Sequence, residues 1–296
     1  MERTGRKLKK RKELFLFFIL KGEQSFYEKL LTVLYALLFI AGCSAAPSPS
    51  ASAEDKPARS GGNFTDQMKL AYRDDLDPEA GADSVERQGD HPDSPYFSTV
   101  DFYNAESTES LTILPHFQTM QQTSEWSCGV VSALLVLNYY DQLGEQTERT
   151  LAEMRSNGLT PEATDMESMI TIFEQTGGFK LESSLDYPAD QLAEAFPLER
   201  FETLLKAGTP VMVAWNDWGG HWQVVIGYDT LGTETTQDDV LIVADPYDTT
   251  DHNQDGYTVY GAERFYYNWT MYDFFEGQGI ENQRDLMFLI AVPDAD

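Results

Sequence analysis

The sequence predicts an α+β domain, with helices on one side and an antiparallel sheet on the other. Two observations carry this. Between residues 111 and 208, apolar residues recur at helical spacing and glycines close the runs. From residue 210 the period changes to short runs rich in valine and isoleucine, bounded by Gly, Asp and Asn. Helices first and strands later is the order of an α+β chain.

The elements follow in turn. Leu111–Pro115 reads as a short strand. Gly129–Asp141 is apolar almost all round, which marks a buried central helix. Thr147–Ser156 has an amphipathic helical pattern. Asp165 sits where a cap belongs for a helix running to about Gln175, and Gly177-Gly178 stops it. Ala189–Phe196 and Leu198–Lys206 read as shorter helices, the second ended by Gly208. Pro210–Trp215, Trp222–Tyr228 and Val240–Ala244 read as strands, and Leu286–Val292 as a closing strand. From Tyr257 to Phe275 the chain is rich in aromatics, expected in the core rather than along a groove.

The 296 residues carry a formal charge of -28, and residues 1–42 are net basic, so the remainder is more acidic still. Such a surface repels phosphate backbones and excludes a nucleic-acid partner; it reads as a device for solubility.

The N-terminus is basic through residue 12. Leu14–Leu20 is apolar, Lys21–Lys29 polar, and Leu30–Ile40 apolar again, ending in Ala41-Gly42-Cys43. Neither apolar run reaches the ~18–20 residues that span a bilayer. Basic region, apolar core and small residues read as a signal peptide, and Ile40-Ala41-Gly42-Cys43 resembles the bacterial lipobox, in which the cysteine becomes lipid-modified. The long stretch before the apolar core points to a start codon downstream of Met1. Residues 44–62, rich in Ser, Ala, Pro and Gly, read as a tether, and 63–95 stay polar and acidic. The expected organisation is a lipoprotein signal over 1–42, a lipid-anchored flexible linker over 43–95 and a folded domain over 96–296. The expected location is outside the cytoplasm, anchored to the cell membrane by lipid on Cys43.

Three residues in the folded part suit nucleophilic chemistry. Cys128 opens the buried helix, whose N-terminus favours thiolate over thiol, and the polar approach from Gln121 to Ser127 is expected to place it at a cleft edge. Cys43 and Cys128 each have their own context, so no disulfide between them is expected. His221 opens a strand after Gly219-Gly220, where the glycines would allow close approach of substrate or backbone. Asp245 ends the next strand, from which a carboxylate can fix the histidine's tautomer. Gln122 is placed to offer an amide N–H to a developing oxyanion, with Gln118 and Gln121 as competitors on the same segment.

Together these residues resemble the papain-like cysteine peptidases, most closely family thirty-nine, the bacteriocin-processing peptidases that cut after a double glycine. The matching stretches are Ile113–Gln122, Ser127-Cys128-Gly129, Val136–Asp141, Gly220–Tyr228 and Val243–Tyr247. The resemblance implies a papain-like fold, in which the helix carrying Cys128 packs on the sheet carrying His221 and Asp245. It implies catalytic roles for Cys128, His221 and Asp245, the oxyanion role for Gln122, a peptide or protein substrate, and no cofactor. Those peptidases are usually fused to an export transporter; this chain shows no transporter segments and reads as a freestanding form. Two other functions remain open on the sequence: a catalytically silent peptide- or wall-binding module of the same fold, and a thiol amidase or acyltransferase.

Asp251-His252-Asn253-Gln254-Asp255-Gly256 matches the first half of a calcium loop, with Asp251, Asn253 and Asp255 as the oxygen ligands. The bidentate glutamate would fall at Ala262, and Glu263 is one residue late, so a polar turn is expected instead.

Overall fold

The computed structural model describes residues 66–70, 74–77, 79–84, 96, 100–250, 253–270 and 286–294. The expected signal peptide, Cys43 and Asp251 lie outside them. The elements in chain order are β1 (Leu111–Ile113), α1 (Cys128–Tyr139), α2 (Glu148–Glu153), α3 (Met166–Thr176), β2 (Phe179–Ser183), α4 (Leu192–Ala195), α5 (Arg200–Lys206), β3 (Val211–Trp215), β4 (His221–Asp229), β5 (Val240–Ala244), β6 (Tyr257–Gly261), α6 (Ala262–Thr270) and β7 (Met287–Pro293).

Among the described residues, seven strands form one antiparallel sheet in the order β2-β7-β3-β4-β5-β6, with β1 also paired to β4. β4 lies in the middle and is buried from His221 to Tyr228. α1 packs on it, and every residue of α1 from Cys128 to Leu137 is buried, as an all-apolar helix requires. α2 and α3 pack against α1 in turn. Thr147 caps α2, and the Asp165 carboxylate accepts the Ser168 N–H at 2.7 Å to cap α3.

β2 and β6 are strands that the sequence pattern does not announce. The aromatic stretch as far as Thr270 divides between β6 and α6, and its inward residues Tyr257, Phe265 and Trp269 are core, as expected, while Tyr272, Phe274 and Phe275 lie outside the described residues. Trp269 packs with Phe196, Phe201 and Phe265 at centroid separations of 5.3 to 5.6 Å.

Part of the expected linker is folded against the domain. Lys69 pairs with Thr119 in a parallel bridge. Leu76 N–H donates to Thr123 Oγ1 at 2.9 Å, Asp77 N–H to the Thr123 carbonyl at 3.2 Å, and Gly81 N–H to Glu125 Oε1 at 3.0 Å. Met68 and Ala82 are buried. The physical reason is that the irregular approach 119–125 has backbone groups with no ladder of its own, and this strap supplies their partners.

Candidate active site

α1 and β4 start at the same place. A Cβ at Gly129 would lie 2.8 Å from Thr164 Cβ and 3.0 Å from both Met169 Sδ and Trp222 Cδ1. Glycine at the second position of α1 therefore lets the helix start close against β4, beside His221. The same closeness buries Cys128, which is 6% exposed. It lies deeper than the cleft edge the sequence implies, because Trp222 and Thr164 close in on the first turn.

Ser127 occupies the helix cap position without a side-chain capping bond. Its hydroxyl accepts from Ser124 Oγ at 2.7 Å instead. The first turn of α1 thus has no side-chain cap, and the backbone N–H groups of Gly129 in α1 and of Trp222 in β4 help to hold the Cys128 thiol down.

His221 Nε2 meets Asp245 Oδ1 at 2.7 Å, and both residues are buried. Nδ1 is then the nitrogen available to the thiol. Burial pushes the Cys128 thiol up, but the hydrogen bond and positive charge of His221 outweigh it, and the net direction is down. Burial likewise opposes the charged ring of His221; the Asp245 carboxylate and the Cys128 sulfur outweigh it, and the histidine is held well above its ordinary range. These directions favour a thiolate beside an imidazolium.

Strand register explains how the carboxylate arrives. Val224 pairs with Ala244, so one step further sets Gln223 opposite Asp245, with His221 diagonal on the same face. Asp245 Oδ1 also accepts the Tyr247 N–H at 2.8 Å, and Oδ2 accepts Gln223 Nε2 at 2.8 Å. Gln223 in turn accepts from Trp215 Nε1 at 2.8 Å and donates to the Tyr260 hydroxyl at 2.9 Å. This support was not singled out by sequence reasoning. Its signal is a lone amide in a strand that is otherwise apolar and buried.

A Cβ on Gly219 or Gly220 would meet no protein atom within 4 Å, so neither glycine makes room for another part of the chain. Their φ values of 87° and 135° make the turn that starts β4 at His221.

Gln122 is buried beneath the site's approach. Its Nε2 donates to the Ser124 carbonyl at 2.7 Å, which commits one of its two N–H groups locally. Gln118 is tied up with Gln67 and Asn138. The Gln121 amide is buried and finds no hydrogen-bond partner among the described residues. Beneath the approach, the buried Glu148 carboxylate accepts from Thr123 N–H at 3.1 Å and Thr123 Oγ1 at 2.6 Å. Burial pushes its carboxyl up to about 7.

Arg155, also buried, donates to the carbonyls of Gly158, Thr160 and Glu162 and lies 4.2 Å over the Trp126 ring. It thereby holds the loop bearing Thr164, whose carbonyl accepts Trp222 Nε1 at 2.7 Å. In the candidate calcium segment, Asp255 Oδ1 accepts the Tyr257 N–H at 3.0 Å and the Asp255 carbonyl accepts the Thr119 hydroxyl at 2.6 Å, the pattern of a polar turn.

The Peptidase_C39 like family model matches residues 114–275, more than half of the chain. The chain belongs to this family. The matched span contains Gln122, Cys128, His221 and Asp245. Among solved structures, a crystal structure of a double glycine motif protease from an AMS/PCAT transporter in complex with the leader peptide is similar. It matches at 16% identity and a TM-score of 0.34, over 63% of this chain and 96% of that one. No protein of curated function matches the chain. Membership of the C39-like family agrees with the α+β, papain-like arrangement of the helix that begins at Cys128 and the sheet that carries His221.

Proposed function

We propose that the protein is a membrane-anchored thiol hydrolase acting outside the cytoplasm, and that it cleaves peptide bonds. The observation that carries this is the position of His221, bound through Nε2 to Asp245 and acting on the Cys128 thiol. In the proposed reaction the Cys128 thiolate attacks the carbonyl carbon of the scissile bond. The Gln122 amide and the start of α1 offer N–H groups to the oxygen as it becomes negative. His221 gives its proton to the departing amine, the C–N bond breaks, and a thioester remains on Cys128. Water then attacks the thioester with His221 as base, which frees the acid and restores the thiol. Asp245 keeps the ring oriented throughout and stabilises it whenever it carries the proton.

A peptide substrate is supported by membership of the C39-like family. The anchor is supported by the basic region, apolar core and Ile40-Ala41-Gly42-Cys43. Digestion of an unbiased peptide library tests the activity: wild type should cut and Cys128→Ala should not. Cutting by both, or by neither, contradicts it. Labelled palmitate should enter wild type and not Cys43→Ser; equal labelling would sink the anchor.

A further inference from the structure

Beside His221 the surface carries an aromatic pair that the core does not use. The turn from β3 to β4 holds Trp218 at φ 50°, a region that bulky residues rarely adopt, and leaves it 65% exposed. Its ring centroid is 6.0 Å from that of Tyr247, and the Tyr247 ring stands edge-on to His221 at 6.5 Å. A strained turn that pushes a large aromatic into water gains nothing for the folded chain. Its place next to the histidine gives it something to bind.

Two carboxylates flank the pair. Glu125 accepts the Tyr247 hydroxyl at 3.0 and 3.2 Å. Asp217, immediately before Trp218, accepts the Tyr260 hydroxyl at 3.3 Å. Burial pushes the Asp217 carboxyl up, the His221 charge opposes this and the Asp245 carboxylate adds to it. Indole and phenol faces attract cations, and the chain as a whole carries -28.

The chemistry sets which part of the substrate lies here. His221 protonates the departing amine, so the residue that follows the cut bond sits on the histidine's side of Cys128. We propose that Trp218 and Tyr247 form the subsite for that leaving-side residue, and that it takes a cationic side chain, Lys or Arg. This rests on the thiol-hydrolase function proposed above.

The test uses capture of the acyl-enzyme by the full-length protein. A nitrophenyl ester acylates Cys128, and the release of nitrophenol reads that step alone. Arginine amide, leucine amide or glutamate amide is then offered in competition with water. The amine nitrogen attacks the thioester carbonyl, an amide bond forms, the C–S bond breaks, and the amine's proton passes to His221. Arginine amide should be captured about tenfold more than leucine amide at equal concentration, and glutamate amide least. Trp218→Ala should bring the arginine-to-leucine ratio towards one, and Trp218→Phe should keep it. Equal capture of arginine and leucine by wild type, or an unchanged ratio in Trp218→Ala, overturns the subsite while leaving the hydrolase intact. An ester left unhydrolysed, with Cys128 unacylated, overturns both.

Discussion

Gln223 donates its amide to Asp245 Oδ2 at 2.8 Å, the carboxylate oxygen that His221 does not use. The histidine is therefore oriented by a carboxylate that is itself oriented, through Gln223, by Trp215 and Tyr260. Removing Gln223 takes the partner from Asp245 Oδ2, leaving the carboxylate held through Oδ1 alone, and strips the buried Trp215 Nε1 of its acceptor. Gln223→Ala should lower kcat by about tenfold with KM little changed, and cost ~1–3 kcal/mol of stability. Gln223→Asn and Gln223→Glu separate the two effects, since the glutamate keeps the length but sets a carboxylate against Asp245. Steady-state kinetics with urea unfolding checks this; a fall in stability with kcat intact would make Gln223 structural only.

Gly129 is the closest approach between α1 and its surroundings. Gly129→Ala forces contacts of 2.8 and 3.0 Å to yield. Overpacking of this kind costs ~1–3 kcal/mol, and a 1 Å displacement of the nucleophile can cost ~100-fold in rate. The variant should stay folded and lose far more activity than stability. Activity near that of wild type in a destabilised protein would contradict the positioning role.

Glu148 lies under the segment that leads to Cys128, and burial pushes its carboxyl from 4.5 up to about 7. A carboxyl raised on folding binds its proton more tightly in the native state. Stability is then fully present below about 4.5 and declines as pH rises towards about 7, above which this group adds no further change. Glu148→Gln should flatten that part of the stability-against-pH curve. Urea midpoints measured across the window check this, and parallel curves for the two proteins would contradict it.

The described residues of the strap, 66–70, 74–77 and 79–84, pack as part of the folded domain. A chain lacking residues 1–95 should melt several degrees below one lacking residues 1–56, because the buried Met68 and Ala82 and the backbone bonds to Thr119 and Thr123 are lost. Equal melting temperatures would return the segment to the status of a tether.

Much of this architecture is legible in the amino-acid sequence. α1 is plain because ten successive residues have no polar face, and α3 is plain because Asp165 and Gly177 mark its ends. Cys128, His221 and Asp245 each sit at an element's end next to a turn residue, which sets them apart from core positions. β2 is hidden because it is an edge strand of mostly half-exposed residues with little alternation. β6 is hidden because its alternation runs straight into the aromatics of α6. The strap is hidden because most of what holds it is backbone hydrogen bonding, which leaves little trace in the side-chain pattern. Gln223 is hidden because one amide in an apolar strand says nothing about its partner until the register of β5 is known.

The thiol of Cys128 tests the central claim most directly. Its carboxamidomethylation rate against pH should be measured for wild type and His221→Ala. Free cysteine titrates near ~8.5, and histidine-paired thiols fall to about 3.5–7.5. Because the thiol is held down chiefly by His221, and His221 is held up chiefly by Asp245, iodoacetamide should alkylate wild type rapidly even at mildly acidic pH. His221→Ala should shift the curve towards that of an ordinary thiol. A single shared curve for both proteins, with its inflection near that of free cysteine, would make Cys128 a structural residue and contradict the enzymatic function.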